Sequence, residues 1–187
     1  MDSQTLMLVA AVVVVLAVAA AAWAYVMRER RERLRARFGP EYERTVDAVG
    51  SPAKAEAILR KRADRVDRFK LRPLTATQAD EFGREWRRIQ SRFVDDPGAA
   101  AAEADVLVTR VMVARGYPPD DLDERAEDDV SVDHPHVVEN YRVARALMAR
   151  RERGEAGTEE LRKAIVNYRA LFDDLLQVES GERRRAS

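Results

Sequence analysis

Residues 6–27, LMLVAAVVVVLAVAAAAWAYVM, decide how the rest of the chain is read. These 22 residues carry no charge. At about 1.5 Å per helical residue they extend to about 33 Å, enough to cross the hydrocarbon core of a bilayer. The stretch predicts a transmembrane helix. A cleaved signal peptide asks instead for basic residues ahead of the apolar run and small residues after it. The alanines from Ala20 to Ala24 meet the second demand, but the first five residues, MDSQT, carry only Asp2. The basic residues stand on the other side of the span, as Arg28, Arg30, Arg31, Arg33, Arg35 and Arg37. That asymmetry predicts an uncleaved single-pass anchor in the cell inner (plasma) membrane, N-terminus outside and the rest cytoplasmic. Trp23 and Tyr25 fall where aromatic side chains meet the inner headgroup layer. Ala17 with Ala21, and Ala20 with Ala24, have the spacing that admits a close second helix, which leaves a homo-oligomer open.

The rest of the chain is a different material. It has 33 basic and 33 acidic side chains in 187 residues, and only Asp2 among them lies before Arg28. The part after the span has the length of one ordinary domain and can bury a core. The absence of cysteine excludes a disulfide scaffold, a thiolate zinc site, a CxxC redox motif and a cysteine nucleophile, and it fits a reducing compartment. Neither GxGxxG nor GxxxxGK(S/T) occurs, so no phosphate loop is expected.

Downstream of the span the local signals are helical. RERRERLRAR, rich in good helix formers, continues the helix to a break at Phe38-Gly39-Pro40. EYERTVDAV reads as a short helix. Gly50-Ser51-Pro52 then starts another, expected to reach about Lys70 with a narrow stripe of Ile58, Leu59, Val66 and Phe69. Pro73 pushes Arg72 out of helical geometry, after which Thr75 and Gln78 match a capping box. Phe82, Trp86, Ile89 and Phe93 recur at spacings of four, three and four, a helical face turned to a core. Asp96 caps and Pro97 begins a helix with Ala104, Leu107, Val108, Val111 and Met112 on one face, closed by Gly116. Past the stiff Tyr117-Pro118-Pro119 connector, DDLDERAEDD is acidic and admits a short helix. Asp133-His134-Pro135 is expected to open a helix carrying Val137, Tyr141, Ala144 and Met148 and closing at Gly154 and Gly157. Thr158 starts the last, with Leu161, Ile165, Tyr168, Phe172 and Leu175 along one face.

No run alternates apolar and polar residues as a strand would, and no repeat of fixed period is visible. The expected fold is all-α: a short tail (1–5), a transmembrane helix (6–27), a basic juxtamembrane helix (28–39), a cytosolic helical bundle of four to five helices (40–178) and a disordered tail (179–187). Helices over 52–70, 76–94, 97–115 and 134–153 carry the core, with 158–178 as a fifth. Their short links favour antiparallel neighbours.

Several short motifs recur together along the body. They are Arg37-Phe38-Gly39-Pro40-Glu41-Tyr42, Arg72-Pro73-Leu74, Trp86 to Gln90, Phe93-Val94-Asp95-Asp96-Pro97, Arg115-Gly116-Tyr117-Pro118, Ser131-Val132-Asp133-His134-Pro135, Tyr141-Arg142 and Tyr168-Arg169. In this order they resemble an uncharacterised family of single-span bacterial membrane proteins, often actinobacterial, with a helical cytosolic domain. The resemblance covers nearly the whole body and implies a fold unit, with no reaction, cofactor or binding residue to carry over. It also implies histidine in relatives where this chain has Arg145 and Asn167, which argues against a shared histidine metal cluster.

The two histidines, His134 and His136, stand beside Asp133 with Glu139 one turn on, residue types that bind zinc or iron. Residues two apart on a helix point about 200° away from each other. The expected duty of Asp133 or His134 is therefore to cap a helix starting at Pro135, and no metal, cofactor or catalytic residue is assigned. Residues 95–139 hold 13 acidic against three basic side chains, while 28–70 hold 14 basic against eight acidic. The acidic face either meets a basic protein partner, folds back on the juxtamembrane helix, or is simply solvated. The cluster from Arg28 to Arg37 sets topology and also suits anionic lipid. Nucleic acid is not expected, since the basic residues lie at the membrane and the body beyond residue 71 has 19 basic against 24 acidic side chains. The expected function is a membrane-anchored, non-catalytic protein-interaction module at the inner leaflet. The alternatives are a metal-dependent enzyme or sensor around Asp133, His134, His136 and Tyr141, or an anionic-lipid surface sensor working through Arg28–Arg37.

Overall fold

The apolar run and the arginines after it form one uninterrupted helix in the computed structural model, which describes residues 3–176. This helix, α1, spans Ser3–Phe38, 36 residues or about 54 Å. It takes in Ser3 to Thr5, expected as part of a tail, because no glycine or proline stands there to stop it. Its most apolar 18-residue window has a mean hydropathy of 2.0, and no part of that window is buried. Gly39 turns the chain at φ 47°, and Pro40 takes the first position of α2 (Pro40–Val49). Gly50, in the left-handed region, closes α2 with its N–H on the Val46 carbonyl, and α3 (Pro52–Val66) follows.

The chain divides into two compact units, Met1–Leu59 and Arg60–Ser187, the division falling inside α3. In the first unit α1 packs against α2, and Phe38, Tyr42, Ala55 and Leu59 are buried. The stripe expected on α3 is corrected in one place: Leu59 and Val66 are buried, but Ile58 is 37% exposed and Ala55 and Ala63 take the inner positions. Ala55, Leu59, Ala63 and Val66 keep helical spacing, whereas Ile58 lies about 100° round from Leu59. The helix also stops at Val66, short of the expected Lys70, and a turn follows.

In the second unit Thr75 and Gln78 make the full capping box that starts α4 (Ala76–Arg92). Asp96 accepts the Ala99 N–H at 2.9 Å and Pro97 begins α5 (Pro97–Arg115). Gly116 ends α5 at φ 101°, where a Cβ would stand 2.6 Å from the Lys70 carbonyl oxygen. A 3-10 turn (Pro119–Asp121) leads into α6 (Leu122–Asp133), followed by α7 (Val138–Glu152) and α8 (Thr158–Leu176). Among the described residues there are eight α-helices and no strand. The last expected residues of α8, 177 and 178, and the tail 179–187 lie outside the described residues.

The core of this unit forms where α8 packs along α7 and α5, and α5 along α4. Leu107, Val111 and Met112 of α5 join Tyr168, Phe172 and Leu175 of α8 and Tyr141 and Met148 of α7 in one buried cluster. The helix expected as a fifth member is thus central, while α3 supplies no residue to this cluster among those described. Trp86 stacks on Phe172, rings 4.6 Å apart. The Phe82 to Phe93 stripe is inward only at its middle. Trp86 and Ile89 are buried, whereas Phe82 and Phe93 are partly buried beneath the guanidinium groups of Arg110 and Arg162, at 5.8 and 5.9 Å.

The expectation of a helix opening at Pro135 is overturned. α6 runs through Asp133, residues 135–137 form a turn, and α7 begins at Val138. Pro135 has no N–H with which to continue α6. The amides of Val137 and Val138 instead both donate to the His134 carbonyl at 3.1 Å, so the backbone starts α7 without a side-chain cap.

Candidate functional site

Beyond Met27 the arginines of α1 meet glutamates one helical turn away: Arg28 with Glu32 at 3.0 Å and Arg33 with Glu29 at 2.5 Å. Two others reach out of α1. Arg31 donates from Nε to Glu56 Oε1 of α3 at 2.7 Å. Arg35 pairs with Glu43 of α2 at 3.2 Å and covers the Tyr42 ring at 4.9 Å. The buried Tyr42 donates its hydroxyl to the same Glu56 Oε1 at 3.0 Å. One carboxylate oxygen therefore collects donors from α1 and α2. Burial first, and the bond to Glu56 next, push the Tyr42 hydroxyl above its ordinary pKa, which keeps it a donor. Arg37 is half-buried, and Arg30 is exposed with no ion pair among the described residues. Trp23 and Tyr25 are 68% and 70% exposed.

A second polar centre lies where α5, α6 and α8 end. His134 is buried, and its Nδ1 shares a hydrogen bond with Asp174 Oδ2 of α8. That bond holds the Asp174 carboxyl below the usual carboxylate range, against the opposing pull of burial. Arg115, buried at the end of α5, donates from Nη1 to the Leu175 carbonyl at 2.7 Å. Tyr117 is buried beside them, its pKa pushed up by burial and then by the Asp133 carboxylate. Among the described residues, His134 Nε2 and the Tyr117 hydroxyl have no hydrogen-bond partner.

His134 therefore ties the α6–α7 corner to α8 and caps nothing with its ring. His136 is exposed, Glu139 lies at the surface beside Arg142 at 3.4 Å, and Tyr141 is packed in the core against Tyr168. The four residues grouped by the sequence for metal-dependent chemistry do not converge. Among the described residues no three His, Asp or Glu side chains are placed to hold a metal ion.

The acidic segment is tied down from within the second unit. Arg65 grips the buried Asp129, Arg62 meets Asp128 at 2.5 Å and Arg142 meets Glu127 at 3.4 Å. Further back, Arg92 holds Glu103 at 2.5 Å and the Tyr168 hydroxyl donates to Asp105 at 2.6 Å. A run that reads as a uniform acidic face is thus partly consumed by the protein's own cations.

Glu56, Tyr42, Asp174, Arg65 and Asp129 were not singled out by the sequence. Each works through a partner outside its own helix, 14 to 64 residues away, and no local pattern joins residues so far apart. The one usable signal was placement: Glu56 adjoins the inward-facing Ala55, and Asp174 adjoins Leu175 of the α8 stripe. Comparison with protein-family models, with curated proteins and with solved structures finds no match to this chain.

Proposed function

We propose that the chain is a single-pass protein of the inner (plasma) membrane, N-terminus outside, whose cytoplasmic helical body is a non-catalytic module that recruits a protein partner to the inner leaflet. One observation carries the reading: α1 holds an apolar window with none of its surface covered, and runs without a break into six arginines. Uncovered apolar surface on that scale calls for lipid, and arginines on one flank set which end stays inside. The recruiting surface is a seam of α5, where Val106, 58% exposed, and Val113, 38% exposed, flank Arg110 on a helix otherwise packed against α4 and α8. Apolar anchors seven residues apart on a fixed helix suit the reception of another helix.

A reporter fused after Ser187 should be active in the cytoplasm; activity confined to the outside would overturn the orientation. A photo-crosslinking residue at Val106 in native membranes should give a discrete protein adduct that Val113→Asp abolishes. The same adduct formed equally from Val94, 84% exposed, would show that α5 offers no particular surface.

A further inference from the structure

We infer that the first half of α3 rests on the inner headgroup layer and binds an anionic lipid surface, through Lys54 together with Arg30 of α1 and with Ala53, Ala57 and Ile58 turned to the lipid. The inference rests on the proposed crossing of the membrane by residues 6–27.

Height is the first argument. The headgroup region is about 5–8 Å deep on each side of the hydrocarbon core. Arg31 lies four residues past Met27, so the helix places it about 6 Å beyond the apolar segment, within that layer. α1 then carries the chain about 16 Å beyond Met27 before Gly39 turns it. Glu56 brings it back, because its carboxylate stands a bond's length from Arg31, 2.7 Å. The Tyr42 hydroxyl, on the same oxygen at 3.0 Å, secures the return from a second helix.

Charge is the second. Glu29, Glu32, Glu43 and Glu56 each meet an arginine, so these four acids are neutralised in place. Arg30 and Lys54 are exposed and have no ion pair among the described residues, so both cations are on offer. The third is chemical texture. Ala53, Lys54, Ala57 and Ile58 are all exposed on α3, Ala53 and Ala57 on the face opposite the buried Ala55 and Leu59, with Lys54 and Ile58 on its flank. A lysine beside small and aliphatic groups is what an anionic lipid surface accommodates, the ammonium at the phosphates and the apolar groups below it.

The chain has no cysteine, so Ala57→Cys gives a single site for a fluorophore in the full-length protein. Reconstituted in phosphatidylcholine bilayers containing phosphatidylglycerol, that fluorophore should be quenched by headgroup-labelled lipid. A fluorophore at Val166→Cys, 63% exposed on α8, should not be. Adding Lys54→Gln should raise the anionic lipid needed for half-maximal quenching about fivefold, the worth of one basic side chain at such a surface. Quenching at position 57 that matches position 166, or that ignores both phosphatidylglycerol and Lys54→Gln, would overturn the inference. So would loss of quenching on adding inorganic phosphate, which would point to a soluble phosphate ligand. A label at Val15→Cys separates the underlying reading: quenching there by acyl-chain-labelled lipid shows the span, and its absence sinks the membrane crossing itself.

Discussion

Arg65 holds Asp129 with two nitrogens across 64 residues of sequence, Nε standing 2.9 Å from Oδ1 and Nη2 3.3 Å from Oδ2. The arginine side chain keeps 21% of its exposure and the carboxylate only 2%, so the acid is buried against a cation that still touches water. The end of α3 is thereby fastened to α6 by charge.

Breaking a buried ion pair by removing one partner typically costs about 3–5 kcal/mol, whereas replacing both partners by apolar groups is often close to neutral. Arg65→Leu should therefore lower the urea midpoint of the detergent-solubilised protein sharply, and Arg65→Leu with Asp129→Leu should regain most of the loss. A double variant no more stable than the single one would mean that Asp129 is held by other groups.

Trp86 is both a large buried ring and the owner of an indole N–H with no hydrogen-bond partner among the described residues. Trp86→Ala should cost about 3–5 kcal/mol, since the stack on Phe172 is lost and a cavity remains. Trp86→Phe removes the unsatisfied donor along with some volume, and should cost less than about 1.5 kcal/mol. Equal losses in urea melts would show that the indole nitrogen carries a bond after all.

Gly116 and Gly154 both have positive φ, 101° and 74°, but only at Gly116 would a Cβ meet backbone, the Lys70 oxygen at 2.6 Å; nothing lies within 4 Å at Gly154. Gly154→Ala should cost about 1–2 kcal/mol for the left-handed backbone alone. Gly116→Ala should cost more, because the Lys70–Leu71 segment must move. Thermal midpoints compare the two directly, and a smaller shift at Gly116 would contradict the close approach.

The Asp174 carboxyl is held below its ordinary pKa, chiefly by the His134 bond. The folded state then binds fewer protons than the unfolded one. The resulting stabilisation is present above the unfolded value, about 3.9, and drains away as pH falls through the lower folded value. Asp174→Asn should be less stable than the parent near neutrality and show a flatter loss below about pH 4. Urea midpoints across the acid range check this; parallel curves for both proteins would remove Asp174 from the account.

Where stop and start residues stand together, the sequence was read correctly. Asp96, Pro97 and Gly116 bracket α5 at the residues expected, and Thr75 with Gln78 does the same for the start of α4. The misreadings have two physical sources. At Asp133-His134-Pro135 a capping pattern coincides with the end of another helix, and Pro135 falls in the turn between them. On α3 the large Ile58 stands out in the apolar pattern, whereas close packing uses the small Ala55 and Ala63. The polar centres were beyond local reading, because Arg31 with Glu56 and His134 with Asp174 become neighbours only once the helices have packed.

A helix that never breaks carries a compass bearing as well as a height. Counting back from Arg31 by alternate steps of four and three gives Met27, Ala24, Ala20 and Ala17, so these small residues of the apolar run point the same way as the arginine that holds the start of α3. A helix approaching along those alanines arrives on the side where Glu56 sits. One residue inserted between Met27 and Arg31 would leave the hydropathy of the apolar run untouched, yet swing α2 and the start of α3 by about 100° around its axis and shift them along it only about 1.5 Å. The turn of α1 from Met27 to Arg31 is in that sense a gear tooth: it fixes the bearing of α2 and the start of α3 about the axis of the apolar helix.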